Sequence, residues 1–287
     1  MVVLAERRSS RAALWAARLS TFSAVLFAVA GLGHRFGFVE TIGFFWVLGL
    51  VVALALAALI LAGAGALQIW TYGDRGAVGT ARAVIVALLV LSPFLVSAWR
   101  VYAFPTLSDI STDLTDPPPL DAAARLRTGD MNPVAPISAE QAALQADGYP
   151  DVTGRRYPLS ADRVQELAAA LVAGNGWTLT APPTPPLDGG DGMIEALAKT
   201  SILAFPVDVS IRVTDEGETS YVDMRSASRY GRHDLGDNAA RITDFLLALD
   251  TAVAGAAGTT PAEPAAPPPD AVPVPTEPPE QSDAPAD

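Results

Sequence analysis

Between Ile42 and Leu67 the chain carries no charged side chain, and the first polar one beyond is Gln68. About 20 consecutive apolar residues suffice to cross the hydrocarbon of a bilayer, so this stretch reads as a transmembrane helix. Two further apolar runs flank it, from about Ala12 to Leu32 and from Ala83 to about Val101. Everything after Tyr102 is soluble in character. The organisation expected is a transmembrane region over 1–102, an extended strap over 103–148, an α+β domain over 149–254 and an acidic Pro/Ala-rich tail over 255–287.

Charge divides the chain at the same point. The first 102 residues hold eight Arg and three acids, a net of +5, so the remainder of a chain with total charge −12 carries −17. An acidic soluble part with scattered Arg is a poor nucleic-acid binder, because neutralising phosphates needs a clustered basic face. There is no Cys, which excludes thiol catalysis, disulfides and Cys-based metal sites. With two His in separate regions, no metal or cofactor is expected.

Arg7, Arg8 and Arg11 precede the first span, and Arg18 lies close enough to its start to snorkel back to the headgroups. A basic start, an apolar middle and Ala28-Val29-Ala30 also fit a cleaved signal peptide, but the run is long for one and an uncleaved span is preferred. Within the second span Gly49, Ala53, Ala57 and Gly65 form a small-residue series that would admit a neighbouring helix. Pro93 is expected to kink the third. The N-terminus and the 72–82 loop are richer in Arg than the 33–41 loop, which puts them in the cytoplasm and the soluble part outside the cytoplasmic membrane.

Phe104–Leu120 is rich in Asp, Ser, Thr and Pro and reads as an extended strap. Asp109, Ser111 and Asp113, with Thr112 between, have the opening spacing of a calcium loop. Leu114 stands where Gly is needed and Leu120 where the bidentate Glu belongs, so the segment reads as a self-satisfying structural motif. Ser138 to Gln141 has capping-box spacing for a short helix. Ser160 starts a second helix with Val164, Leu167, Ala168, Leu171 and Val172 on one stripe, ended by Gly174-Asn175-Gly176. Strands are expected at Trp177–Thr180 and Ile194–Thr200. Val207 to Val213 and Tyr221 to Arg225 alternate with period two, which predicts a hairpin packed on one face only. Its register sets either Asp208 across from Arg225 or Arg212 across from Asp223. A last helix, from Asn238 to about Ala254 and capped by Asp237, completes a two-layer, mostly antiparallel α+β domain with helices on one face. The tail from Gly255 has no large apolar cluster and is expected to be disordered.

The strap, Tyr149-Pro150-Asp151, Gly192–Thr200 and Val207–Arg241 resemble the DUF1499 family of uncharacterised proteins. The most specific match is Val222-Asp223-Met224-Arg225-Ser226-Ala227-Ser228-Arg229, followed by Gly231, Asp234, Gly236, Asn238 and Arg241. Gly33-His34-Arg35-Phe36-Gly37 is similar to a Gly-x-Arg-x-Gly turn that follows the first span in members. The chain departs at Ser201–Val207, where members carry an aromatic pair and then two adjacent acids; here stand Ile202-Leu203 and Val207-Asp208. The resemblance implies an architecture and no chemistry.

Two functional expectations follow. Arg225, Ser226, Ser228, Arg229, Arg232, Asn238 and Arg241 lie close enough in sequence to converge on an anion, unless the arginines pair with Asp208, Asp223, Asp234 and Asp237. The first expectation is therefore a non-catalytic binding or envelope-organising module, contacting a lipid headgroup, an envelope protein or another anionic ligand through the polar sheet face. The alternative is an envelope hydrolase using His233 with Ser226 or Ser228, for which no G-x-S-x-G elbow exists.

Overall fold

The computed structural model describes residues 9–186 and 190–258. Arg7, Arg8 and the acidic tail from residue 259 lie outside them. Three helices, α1 (Arg11–Arg35), α2 (Thr41–Tyr72) and α3 (Ala77–Ala103), are each long and apolar enough to cross a membrane. Ser10 caps α1 by accepting from the Ala13 amide at 3.1 Å, and its hydroxyl donates to Gln68 at 2.8 Å, tying the start of α1 to the end of α2.

The packing stripe of α2 is Val51, Ala55, Ala58, Ala62 and Gly65, all buried. This corrects the expected series: Gly49 and Ala53 face outward, Ala57 is half-buried, and Gly65 belongs to the contact. A Cβ on Gly65 would stand 2.9 Å from the Ala13 amide nitrogen, so glycine permits the close approach of α1. Helix α3 continues through Pro93. Proline cannot donate to the Leu89 carbonyl one turn back, and the Ser92 hydroxyl does so instead at 2.8 Å.

The soluble part is α+β as expected. In chain order it contains β1 (Asp109–Ser111), α4 (Asp121–Leu126), α5 (Ala139–Gly148), β2 (Arg155–Tyr157), α6 (Ala161–Gly174), β3 (Thr178–Leu179), β4 (Asp191–Lys199), β5 (Pro206–Asp215), β6 (Ser220–Ser228) and α7 (Asp237–Ala257). The strands form one antiparallel sheet in the order β1-β6-β5-β4-β3, and β2 shares the outer edge of β6 with β1. In the β5–β6 register Arg212 faces Asp223, while Asp208 faces Ala227 and Ser210 faces Arg225.

Helices α6 and α7 cover the apolar sheet face. Val164, Ala168 and Val172 from α6, and Ile242, Phe245, Leu246 and Leu249 from α7, pack on Ile194, Val209, Ile211, Val222 and Met224. Burying this set removes apolar surface worth roughly 2 kcal/mol per large side chain. Residues 112–135, including α4, lie over the other face, where Asp208, Ser210, Arg212, Asp223 and Arg225 are all buried. The expectation of a sheet packed on one side is corrected here: alternation of apolar and polar residues marks two faces, and a polar face can be covered when its charges are paired.

Two further boundaries move. Helix α7 begins at Asp237 with Gly236 at the N-cap position, and the amides there are satisfied by Asp234, whose carboxylate accepts from the Gly236 and Asn238 amides at 2.9 Å each. Helix α7 also runs to Ala257, beyond the expected start of the tail at Gly255. The capping box on α5 forms as expected, Gln141 N to Ser138 Oγ at 3.2 Å and Ser138 N to Gln141 Oε1 at 2.9 Å.

Candidate functional site

Strand β6 carries most of the candidate residues and sends them to opposite faces, so they form two groups. On the strap side, the Arg225 guanidinium grips Asp109 in a fork, with bonds of 3.0 and 2.7 Å, and donates to the Ala135 carbonyl at 2.9 Å. Arg229 holds both oxygens of Asp208 at 2.7 to 3.1 Å. Asp208 also receives Arg127 Nε at 2.8 Å. Arg212 bridges Asp223 at 3.1 Å and Asp116 at 2.8 Å. Burial raises the Asp223 carboxyl above its usual range, and Arg212 and Thr112 pull it back. The arrangement is a layer of paired charges, buried except at the exposed Asp116, and it commits Arg225 and Arg229 to structure.

The calcium-like segment belongs to this layer. Asp109 is the partner of Arg225, and Asp113 accepts from the Thr115 and Asp116 amides at 2.8 and 2.9 Å. Ser111 exchanges both of its backbone bonds with the Gln145 amide, at 3.1 and 2.6 Å, which closes the free edge of β1. Thr112 donates to Asp223 at 3.1 Å. These four residues fasten the strap to the sheet.

On the helix side, Asn238 is fully buried and organises the second group. Its amide oxygen accepts from Ser226 Oγ and Arg241 Nη1, each at 2.9 Å, and its nitrogen donates to Ser228 Oγ at 3.1 Å and the Ser108 carbonyl at 3.0 Å. Arg241 has no carboxylate partner among the described residues. Burial lowers its pKa, and Asp237 and Asp234 oppose that. His233 does not join the serines. Its Nδ1 accepts from the Leu235 amide at 2.9 Å, so Nε2 carries the proton and donates toward the Phe104 carbonyl at 3.1 Å. The hydrolase alternative required His233 beside Ser226 or Ser228, and this geometry removes it.

Residues 109–249 match the family model described as protein of unknown function (DUF1499). Those residues form a DUF1499 domain. No curated protein matches the chain. Among solved structures, the crystal structure of CalU16 from Micromonospora echinospora is similar over 37% of this chain and 80% of its own. At 14% identity and a TM-score of 0.20 that likeness carries no argument.

The DUF1499 domain is bolted to the helix bundle at two places. At the first, the α1–α2 turn meets the β4–β5 hairpin tip. Arg35 donates to the Ser201 and Ile202 carbonyls at 2.6 and 3.1 Å, and His34 Nδ1 lies 2.6 Å from the Leu203 carbonyl. The buried His34 ring stacks on Phe44 at 4.5 Å, and Phe205 stacks on Phe45 at 5.4 Å. At the second, the loop before α7 meets the end of α3. His233 reaches Phe104, Arg100 pairs with Asp237 at 3.0 Å, and Tyr149 stacks on Phe104 at 6.4 Å. Burial, with Asp234 adding to it, pushes the Tyr149 phenol up to about 12.

Ala204 and Leu235 are the non-glycine residues with positive φ among those described, at 58° and 59°. One lies in each bolt. Such backbone costs energy and persists where surrounding contacts over-determine it. Sequence reasoning did not see these joints. The signal available was the Gly33–Gly37 turn itself, whose partner lies over 160 residues away. Arg232 lies outside both β6 groups: it is exposed and has no acid partner among the described residues.

Proposed function

We propose that this is a membrane-anchored, non-catalytic module whose DUF1499 domain is held rigidly on the outer surface of the cytoplasmic membrane, where it engages lipid headgroups or an anionic envelope partner. The observation that carries this reading is the double bolt. A domain on a tether samples a volume, whereas one fixed to the ends of α1, α2 and α3 works in the plane of the bilayer.

The rim around the bolts fits that plane. Phe36, Phe38, Trp46, Ile202, Trp99 and Tyr102 are exposed beside the span ends, where apolar and amphipathic side chains favour the interface. Arg232 sits between Tyr230, which meets Phe45 edge-on at 6.4 Å, and His233, which touches the end of α3. This neighbourhood supports a reading in which the exposed Arg232 meets a phosphate or carboxylate at headgroup height. Of the seven candidate residues, Arg232 is the one assigned to ligand. Arg225, Arg229, Asn238, Ser226, Ser228 and Arg241 are assigned to holding the fold.

Paired reporter fusions after Gly258, one active only outside the cytoplasm and one only inside, test the placement; cytoplasmic activity overturns it. Complementation of a deletion strain tests the chemistry. A Ser226→Ala, Ser228→Ala variant is expected to retain function and an Ile202→Glu, Arg232→Glu variant to lose it. The reverse pattern, in folded protein, sinks the binding reading.

A further inference from the structure

Helices α1 and α3 leave a cleft of about 430 Å³ on their outward face, lined by Ala17, Arg18, Thr21, Phe22, Val25 and Arg82. Its polar end holds two arginines from different helices. Arg82 Nη2 donates to Thr21 Oγ1 at 3.1 Å, and Arg18 lies 5.4 Å over the Trp15 ring. Neither has a carboxylate partner among the described residues, and both are exposed on a face that lipid covers. Arg18 is seven residues into α1 and Arg82 five into α3, so both lie about 8 to 10 Å from the helix starts at the 1.5 Å rise of a helix. From there their long side chains reach the headgroup layer, where an anion can meet them. Arg11 and Arg75 add to the positive charge at this end, against Asp74.

We propose that this cleft is a binding site for one anionic phospholipid of the leaflet at the N-terminal end of α1. The free donors of Arg18 and Arg82 hold the phosphodiester, Trp15 keeps the Arg18 plane in place, and one acyl chain lies along Phe22 and Val25. Two guanidinium groups lining one cleft from separate helices match the several oxygens of a phosphodiester, and basic pockets between spans recognise headgroups in this way. The apolar floor is what assigns the occupant to a lipid, because a free phosphate has nothing to place there. This site faces the leaflet opposite the DUF1499 domain and does not depend on the function proposed for that domain.

The test is native mass spectrometry of the full-length protein titrated with phosphatidylglycerol or phosphatidylcholine. One phosphatidylglycerol should be retained with at least tenfold preference. Arg18→Gln with Arg82→Gln should lose that preference, and Arg11→Gln with Arg75→Gln should keep it. Arg18→Lys with Arg82→Lys preserves charge and should keep part of it, which covers the case in which the Gln pair fails to fold. Millimolar inorganic phosphate should not displace the lipid; displacement would make this a free-anion site and end the lipid assignment. Equal retention of both lipids, or retention indifferent to Arg18 and Arg82, overturns the proposal.

Discussion

Replacing Asp208 by Ala tests the covered polar face directly. The Asp208 carboxylate is shared by Arg127 and Arg229, and the three side chains are 1%, 5% and 11% exposed. Removing the acid strands two guanidiniums under the strap. Breaking a buried pair by deleting one partner costs about 3 to 5 kcal/mol, whereas a solvent-exposed pair is worth about 0 to 1. With a urea slope of about 2 kcal/mol per molar, a loss of about 4 kcal/mol lowers the unfolding midpoint by about 2 M. Trp177, the only Trp beyond Trp99, stacks on Phe245 at 5.4 Å and reports on the core. The other four Trp lie on α1, α2 and α3, so their replacement by Phe isolates its signal in the full-length protein. A midpoint shift below about 0.5 M would mean that Asp208 is solvated, and the argument for a strap-covered layer would fail.

Asp234→Ala removes the α7 cap and should cost about 1 to 2 kcal/mol in the same titration, while Asp237→Ala loses only a half-exposed bridge to Arg100 and should cost under about 1. An order reversed from this would return the cap to Asp237. The Glu216 carboxyl is pushed down to about 2, first by its hydrogen bonds from Arg156 and then from Thr219. Its folded pKa lies below the ordinary value of 4.5, so its contribution to stability is present above about pH 4.5 and is lost as pH falls toward 2. An NMR titration should find it there, moving back toward 4.5 in Arg156→Gln; a normal titration in the parent protein would refute the pairing. Gly65→Leu should separate α1 from α2, because a Cβ already meets the Ala13 backbone, and should lower the melting temperature of the bundle more than Gly49→Leu, whose site is open. Equal effects would restore the original small-residue series.

What was legible in the sequence was whatever has a short period. The spans announce themselves by the absence of charge, and the β5–β6 hairpin by Val207, Val209, Ile211 and Val213 alternating with polar neighbours. Period two also separates the residues of β6 into two faces, and the structure keeps that separation. What was not legible was which charge meets which. Arg225 finds Asp109 at a separation of 116 residues and Arg212 finds Asp116 at 96. The strap that supplies these partners has no periodicity to set its register, so proximity in sequence pointed instead to Asp223, Asp234 and Asp237. Of the pairings weighed, Arg212 with Asp223 and Arg229 with Asp208 form, because β5 and β6 are adjacent and the hairpin fixes their register. The α2 stripe failed for a related reason: spacings of four recur on every face of an Ala-rich helix, and only the partner helix selects one.

The bolts explain how the chain tolerates its departure from the family pattern at Ser201–Val207. The resemblance implies an aromatic pair there, and this chain has Ile202-Leu203. Yet the hairpin tip is held through the backbone carbonyls of Ser201, Ile202 and Leu203, which any side chain leaves in place. The aromatic contribution comes from Phe205, stacked among Phe44, Phe45 and His34. On the membrane side the requirements are stricter. Arg35 must supply two donors, His34 must be small and flat enough to lie on Phe44, and a Cβ at Gly33 would stand 2.9 Å from Val39. Two parts of the chain that are remote in sequence, the Gly33–Gly37 turn and the β4–β5 tip, therefore meet as the two halves of one joint, one acting through side chains and the other through carbonyls.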